Sequence, residues 1–176
     1  GGEMRFEDFA RMHGLILDGL QVDRWMPTPT EDHPRSSNGR YKFLGNVGWV
    51  QNWATMEKPA TWFAEGHTID SPQIQRSIED SRNRQAESAD RASKKAGWIL
   101  HQTELKSHPY LVSKGFPEEL GNVWQKDGKD ILVIPMRIDS RLVGIQLIDN
   151  EGKKNFLHGQ TNKGASFCMN AKGIPI

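Results

Sequence analysis

Apolar positions along this 176-residue chain keep two different rhythms. Near the start, Phe6, Phe9, Ala10 and His13 recur at helical spacing, which predicts a short helix over residues 5–13 stopped by Gly14. Short strand-like runs then follow, broken by turn residues. Residues 19–26 lead into a loop rich in Pro, Thr and Asp, residues 40–44 alternate, and Asn46-Val47-Gly48 turns the chain into a run over 48–53. Thr61-Trp62-Phe63 closes this set. The alternation turns Tyr41 and Phe43 toward a core, and Arg40 and Lys42 toward water or a ligand.

Ser71-Pro72 has the form of a helix start, an N-cap serine followed by proline at the first helical position. From there to about residue 106 only Gly97 interrupts the helical pattern. The stretch through Lys95 is strongly charged, and Ile74, Ile78, Ala89, Ala92 and Ala96 leave a thin apolar stripe. After Gly97, residues Trp98, Ile99, Leu100 and Leu105 are expected to dock on a second core. His108-Pro109-Tyr110-Leu111 opens a further helical turn, with His108 as its cap or turn residue. Strands are predicted over 123–125, 131–136, 142–148, 155–157 and 165–169. The connections Asp127-Gly128, Asp139-Ser140-Arg141 and Asn150-Glu151-Gly152 are hairpin signals, so these strands should pair antiparallel. The predicted class is α+β: a small Trp-rich antiparallel β module over 1–68, a linking helix over 69–107 and an antiparallel β module over 108–176.

Composition narrows the function classes. Hydrophobic residues make up 36% of the chain and the mean hydropathy is -0.67, so two modest cores fit better than one large one. A net charge of +1 and a pI near 8.1 leave nucleic-acid binding to be argued from where the charges sit. One cysteine, Cys168, excludes an internal disulfide framework and suits a reducing cytoplasm. No apolar run approaches the roughly 20 residues that span a bilayer, and Gly1-Gly2 reads as the remnant of a cleaved tag. His33, His67, His108, His158 and Cys168 follow no ligand spacing, so no metal is expected. Cys168 has no adjacent base, and Gly45-x-x-Gly48 lacks the lysine and helix of a phosphate loop.

The order His108-Pro109-Tyr110-Leu111, Lys114-Gly115, Ile134-Pro135-Met136, Leu142-Val143-Gly144, Gln146, Ile148, Gly152-Lys153, Phe156-Leu157 and Gly159 resembles the segment that phage and plasmid DNA primases carry ahead of their Toprim catalytic domain. The likeness spans most of residues 98–169. Residues 1–68 look like the N-terminal region of the same family, where a zinc ribbon often sits. They contain no cysteine, and their only histidines are His13, His33 and His67, which implies a metal-free ribbon-like module. The resemblance implies template binding and positioning in a mobile-element primase, with single-stranded DNA and the downstream Toprim or helicase region of the same protein as partners. Magnesium belongs to the Toprim acids, and no glutamate with a following Asp-x-Asp occurs here. The chain alone is therefore expected to need no cofactor and to make no primer.

Residues Arg137, Arg141, Lys153, Lys154 and Lys163, with Arg40 and Lys42 on the first module, are the candidate nucleic-acid contacts. The plainer reading of the lysines is a hairpin tip kept soluble, with Asp139, Asp149 and Glu151 blunting any positive field. Trp49, Trp53 and Trp62 with Tyr41 either stack bases or fill the core, and a module this small favours the core. The rival function is a scaffold or interaction module that docks its helix or Trp-rich sheet on another protein without touching nucleic acid.

Overall fold

A computed structural model describes residues 3–167. Gly1-Gly2 and residues 168–176, with Cys168 and the expected end of the last strand at Met169, lie outside the described residues. Two antiparallel sheets joined by a long helix make the fold α+β, and the chain parts into two compact units between Asn83 and Arg84. No described helix is long and apolar enough to cross a membrane.

The first unit carries α1 (Phe6–Met12) and a four-stranded sheet of β1 (Met26–Thr28), β2 (Gly39–Phe43), β3 (Val47–Asn52) and β4 (Ala60–Phe63), paired in that order. Phe6 and Ala10 bury one face of α1 against Tyr41, Val50 and Leu15. The Phe6 ring stacks on Phe43 at 4.8 Å between centroids and meets Tyr41 and Trp62 edge-on at 6.0 and 5.5 Å. Burying such a ring stabilises by roughly 2–3 kcal/mol. The register sets Tyr41 opposite Val50 and Phe43 opposite Gly48, and Gly48 opposite Trp62. Gly48 lies directly under Phe6: a Cβ there would stand 2.5 Å from the ring's Cε2. Only glycine leaves the ring its seat. The Trp62 Nε1–H donates to the Met4 carbonyl at 2.9 Å, which satisfies the polar end of a half-buried indole.

Helix α2 (Pro72–His101) runs through both units. Ser71 precedes it as expected, and its hydroxyl accepts from the Thr68 amide at 2.8 Å, which folds the entering turn against the helix start. The helix ends earlier than its sequence pattern suggested. Gln102 and Thr103 close i→i+3 turns on Ile99 and Leu100, and the Thr103 hydroxyl donates to the Leu100 carbonyl at 2.7 Å. Residues Glu104–Lys106 then leave the helix as β5, pairing with the strand over Gly121–Lys126. Tertiary pairing overrides the helical pattern here.

The second sheet comprises β5, β6 (Gly121–Lys126), β7 (Lys129–Ile138), β8 (Arg141–Ile148) and β9 (Lys154–Phe156), with β10 (Ser166–Phe167) added to β7. Asp127 and Gly128, like Asp139 and Ser140, hold positive φ at the two tight turns, the geometry that matches hairpin twist. One face packs on α2 through Ala96, Ile99, Val133 and Ile145. The other packs on α3 (Pro109–Ser113) through Tyr110, Leu111, Val123, Leu132, Ile134 and Ile148. Trp98 and Leu105, expected in the helix-docking core, are instead each 57% exposed. Trp98 meets Trp124 edge-on at the surface, and Leu105 rides on the edge strand β5.

Two details hold this sheet in register. His108 caps α3: its Nδ1 accepts from the Tyr110 amide at 3.1 Å while its Nε2 meets the Asp130 carbonyl at 3.0 Å, all within the interior. The Gln160 side-chain oxygen accepts from both the Ile145 and Leu157 amides at 3.1 Å, filling the seam beyond β9 as a strand would. Pro135 sits in mid-strand without an amide hydrogen. It lies past Val133, the last β7 residue paired with β6, and before Met136, which pairs with β10, so among the described residues no partner on that edge is denied a donor.

Candidate nucleic-acid interface

The alternation of β2 that buries Tyr41 and Phe43 turns Arg40 and Lys42 to the opposite face of the first sheet. The register brings Gln51 beside Arg40 and Trp49 beside Lys42 on that same face. The core expectation for Trp49 and Trp53 is thus overturned. Because Phe6 occupies the space above Gly48, the even-numbered positions of β3 face α1 and the odd-numbered ones face away. Trp62 and Tyr41 do belong to the core group. Glycine at 48 was the signal that could have assigned the faces.

Arg40 is the centre of the exposed face. Its guanidinium carbon lies 4.0 Å from the Trp25 ring centroid and 4.9 Å from that of Trp53, so an indole flanks it on each contact. Its Nε donates to the Gln51 side-chain oxygen at 3.1 Å. Gln51 is buried, and its amide nitrogen donates in turn to the Glu57 carbonyl at 3.1 Å. The Trp53 amide bonds the Asn38 carbonyl at 3.0 Å, and Asn52 Oδ1 accepts from Ala54, which fixes the loop that carries the second indole. Trp25 and Trp53 remain 37% and 51% exposed. The result is a hydrogen-bonded cation in contact with two indoles that each keep part of their surface in water. Trp25 was not among the predicted contacts, and Trp53 was weighed as a base-stacking residue but assigned to the core, because sequence spacing gives no sign that residues 25, 40 and 53 meet.

On the second unit the predicted cations divide. The β7–β8 turn carries Arg137, whose Nη1 donates to the Ser140 carbonyl at 3.2 Å, and Arg141. Arg141 lines a cleft of about 330 Å³ with Ala86, Ala89, Asp90, Ser93 and Thr161. Lys163 is exposed three residues ahead of Ser166, which pairs with Arg137, so it belongs to this end. Lys153 and Lys154 lie at the other end: Lys154 pairs with Ile148, seven residues along β8 from Arg141, roughly 23 Å away. The five do not line one groove. Successive hairpins of an antiparallel meander put their turns at opposite ends of the shared strand, a constraint already present in the predicted strand order.

The Lys153/Lys154 end has its own character. Asp149 Oδ1 accepts from the Glu151 and Lys153 amides at 2.9 Å, shaping the tip. The Lys154 and Lys114 ammonium groups each lie 5.5 Å from the Tyr110 ring, and Phe156, on the same sheet face, is exposed. Among the described residues no group of three or more His, Cys, Asp or Glu side chains is placed to hold a metal ion. Comparison with protein-family models, with curated proteins and with solved structures finds no match.

Proposed function

We propose that this chain binds and positions a single-stranded DNA template for a primase active site supplied by a downstream Toprim region, in a mobile-element protein of the cytoplasm. The observation that carries the reading is the Trp25–Arg40–Trp53 stack on the outer face of the first sheet. Exposed indoles accept any base by stacking, and a fixed cation beside them meets the strand's charge, the combination on which sequence-tolerant single-strand binding rests. The motif order over residues 108–159 supports the primase assignment, and the exposed Lys114, Lys153, Lys154 and Phe156 support a strand contact on the second unit. Magnesium chemistry is assigned to the downstream region, and this chain acts without a cofactor of its own.

Titration of a labelled single-stranded oligonucleotide at rising salt tests this. Affinity should fall linearly on a log–log plot, with a slope near −0.7 per phosphate neutralised. Absence of binding at low salt, or binding indifferent to salt, would instead support the second reading, a protein-docking module. That reading has its own support in the exposed Trp98 and Leu105 of the second unit.

A further inference from the structure

We infer that the Arg40 fork reads a guanine base within the bound strand, an inference that rests on the strand-binding function proposed above. The guanidinium carbon lies 4.0 Å from the Trp25 ring centroid and 4.9 Å from that of Trp53, and Gln51 ties the group at Nε. Among the described residues neither of its terminal nitrogens has a hydrogen-bond partner. What is left without a protein partner among the described residues is an edge with two parallel donors on a part-buried side chain. Such an edge selects a ligand offering two adjacent acceptors in one plane.

Guanine meets that demand with O6 and N7 side by side, whereas adenine replaces one acceptor with an amino donor and thymine offers a single oxygen. A base bonded edge-on to the guanidinium shares its plane. It lies beside two part-exposed indoles, and a flat base can meet their rings in a way that a tetrahedral phosphate does not. Cytosine can present two acceptors on its pairing edge, but its single ring covers less of an indole than the fused rings of guanine. Pro27, paired opposite Arg40 on β1, adds an apolar flank on this face. The preorganised arginine loses little side-chain freedom on binding, so the bidentate contact keeps its selectivity.

The test uses the full chain and labelled oligothymidylates in which alternate residues are replaced by guanine, inosine, adenine, cytosine or 7-deazaguanine, followed by anisotropy at one salt concentration. Guanine and inosine, which share O6 and N7, should bind about tenfold tighter than the others. Loss of N7 in 7-deazaguanine should bring affinity down to the adenine level, and Arg40→Lys should erase the preference for guanine. Equal binding of 7-deazaguanine and guanine, or of cytosine and guanine, overturns the inference. Equal, salt-sensitive binding of all five would leave the strand-binding function standing and assign the fork to phosphate. Failure of every oligonucleotide to bind at low salt overturns both. The base analogues act on unmodified protein, so the discrimination they measure does not depend on how any variant folds.

Discussion

Replacing Gly48 with alanine is the sharpest test of how the first sheet assigns its faces. The added methyl would stand 2.5 and 2.8 Å from the Cε2 and Cδ2 atoms of Phe6, about 1 Å inside ordinary carbon contact. Phe6 cannot step aside cheaply, because Phe43, Tyr41 and Trp62 surround it within 6.0 Å. Overpacking of this kind costs about 1–3 kcal/mol. Removing a glycine returns about 0.4–1 kcal/mol through the unfolded chain, so the overlap wins and the net loss is about 1–2 kcal/mol. For a unit of this size that lowers the melting temperature by roughly 5–10 °C, read from near-ultraviolet circular dichroism on heating. Phe6→Leu should make the same alanine nearly neutral, and a double-mutant cycle measures that coupling. An unchanged or raised melting temperature for Gly48→Ala would mean that Phe6 does not cover this face. The alternation of β3 would then be reversed, Trp49 would point inward, and the Trp25–Arg40–Trp53 surface would lose its basis.

Four other perturbations probe separate parts of the molecule. Trp53→Ala should weaken single-strand binding by about 1–3 kcal/mol while lowering stability by no more than about 1 kcal/mol, since half of the residue is exposed; titration and thermal unfolding check the two halves. Charge reversal of Lys153 and Lys154 together should lower affinity and flatten its salt dependence, whereas reversal that leaves both unchanged would reduce these lysines to solubilising a turn. His108→Ala removes two internal hydrogen bonds and opens a cavity under α3, with an expected loss of about 2–3 kcal/mol in denaturant unfolding. Gln160→Ala leaves the Ile145 and Leu157 amides without their acceptor and should cost about 2 kcal/mol, visible as faster amide exchange at those two positions.

The strands were legible where turn chemistry and alternation agreed. Asp127-Gly128 and Asp139-Ser140 announced their hairpins, and residues 131–136 and 142–148 fall within β7 and β8. His108 was readable as a cap because proline follows it. What escaped was set by partners distant in sequence. No local signal separates residues 104–106 from the preceding helix, since only pairing with β6 draws them into a strand. Trp49 and Trp53 read as core because large aromatics usually are, and only the place of Phe6 above Gly48 assigns them outward. The Trp25–Arg40–Trp53 stack joins three chain segments, two of them outside the regular strands, so nothing periodic could reveal it.

Pro135 bears on how the second sheet avoids error. Along one edge of β7, two segments far apart in sequence dock, β6 as far as Val133 and, among the described residues, β10 on Met136 and Arg137. A continuous ladder would let either segment creep into the other's territory, or let a foreign strand run the whole length. With no donor at the junction, the proline acts as an end-stop: neither segment gains by sliding past it, and an intruding peptide meets a broken rail.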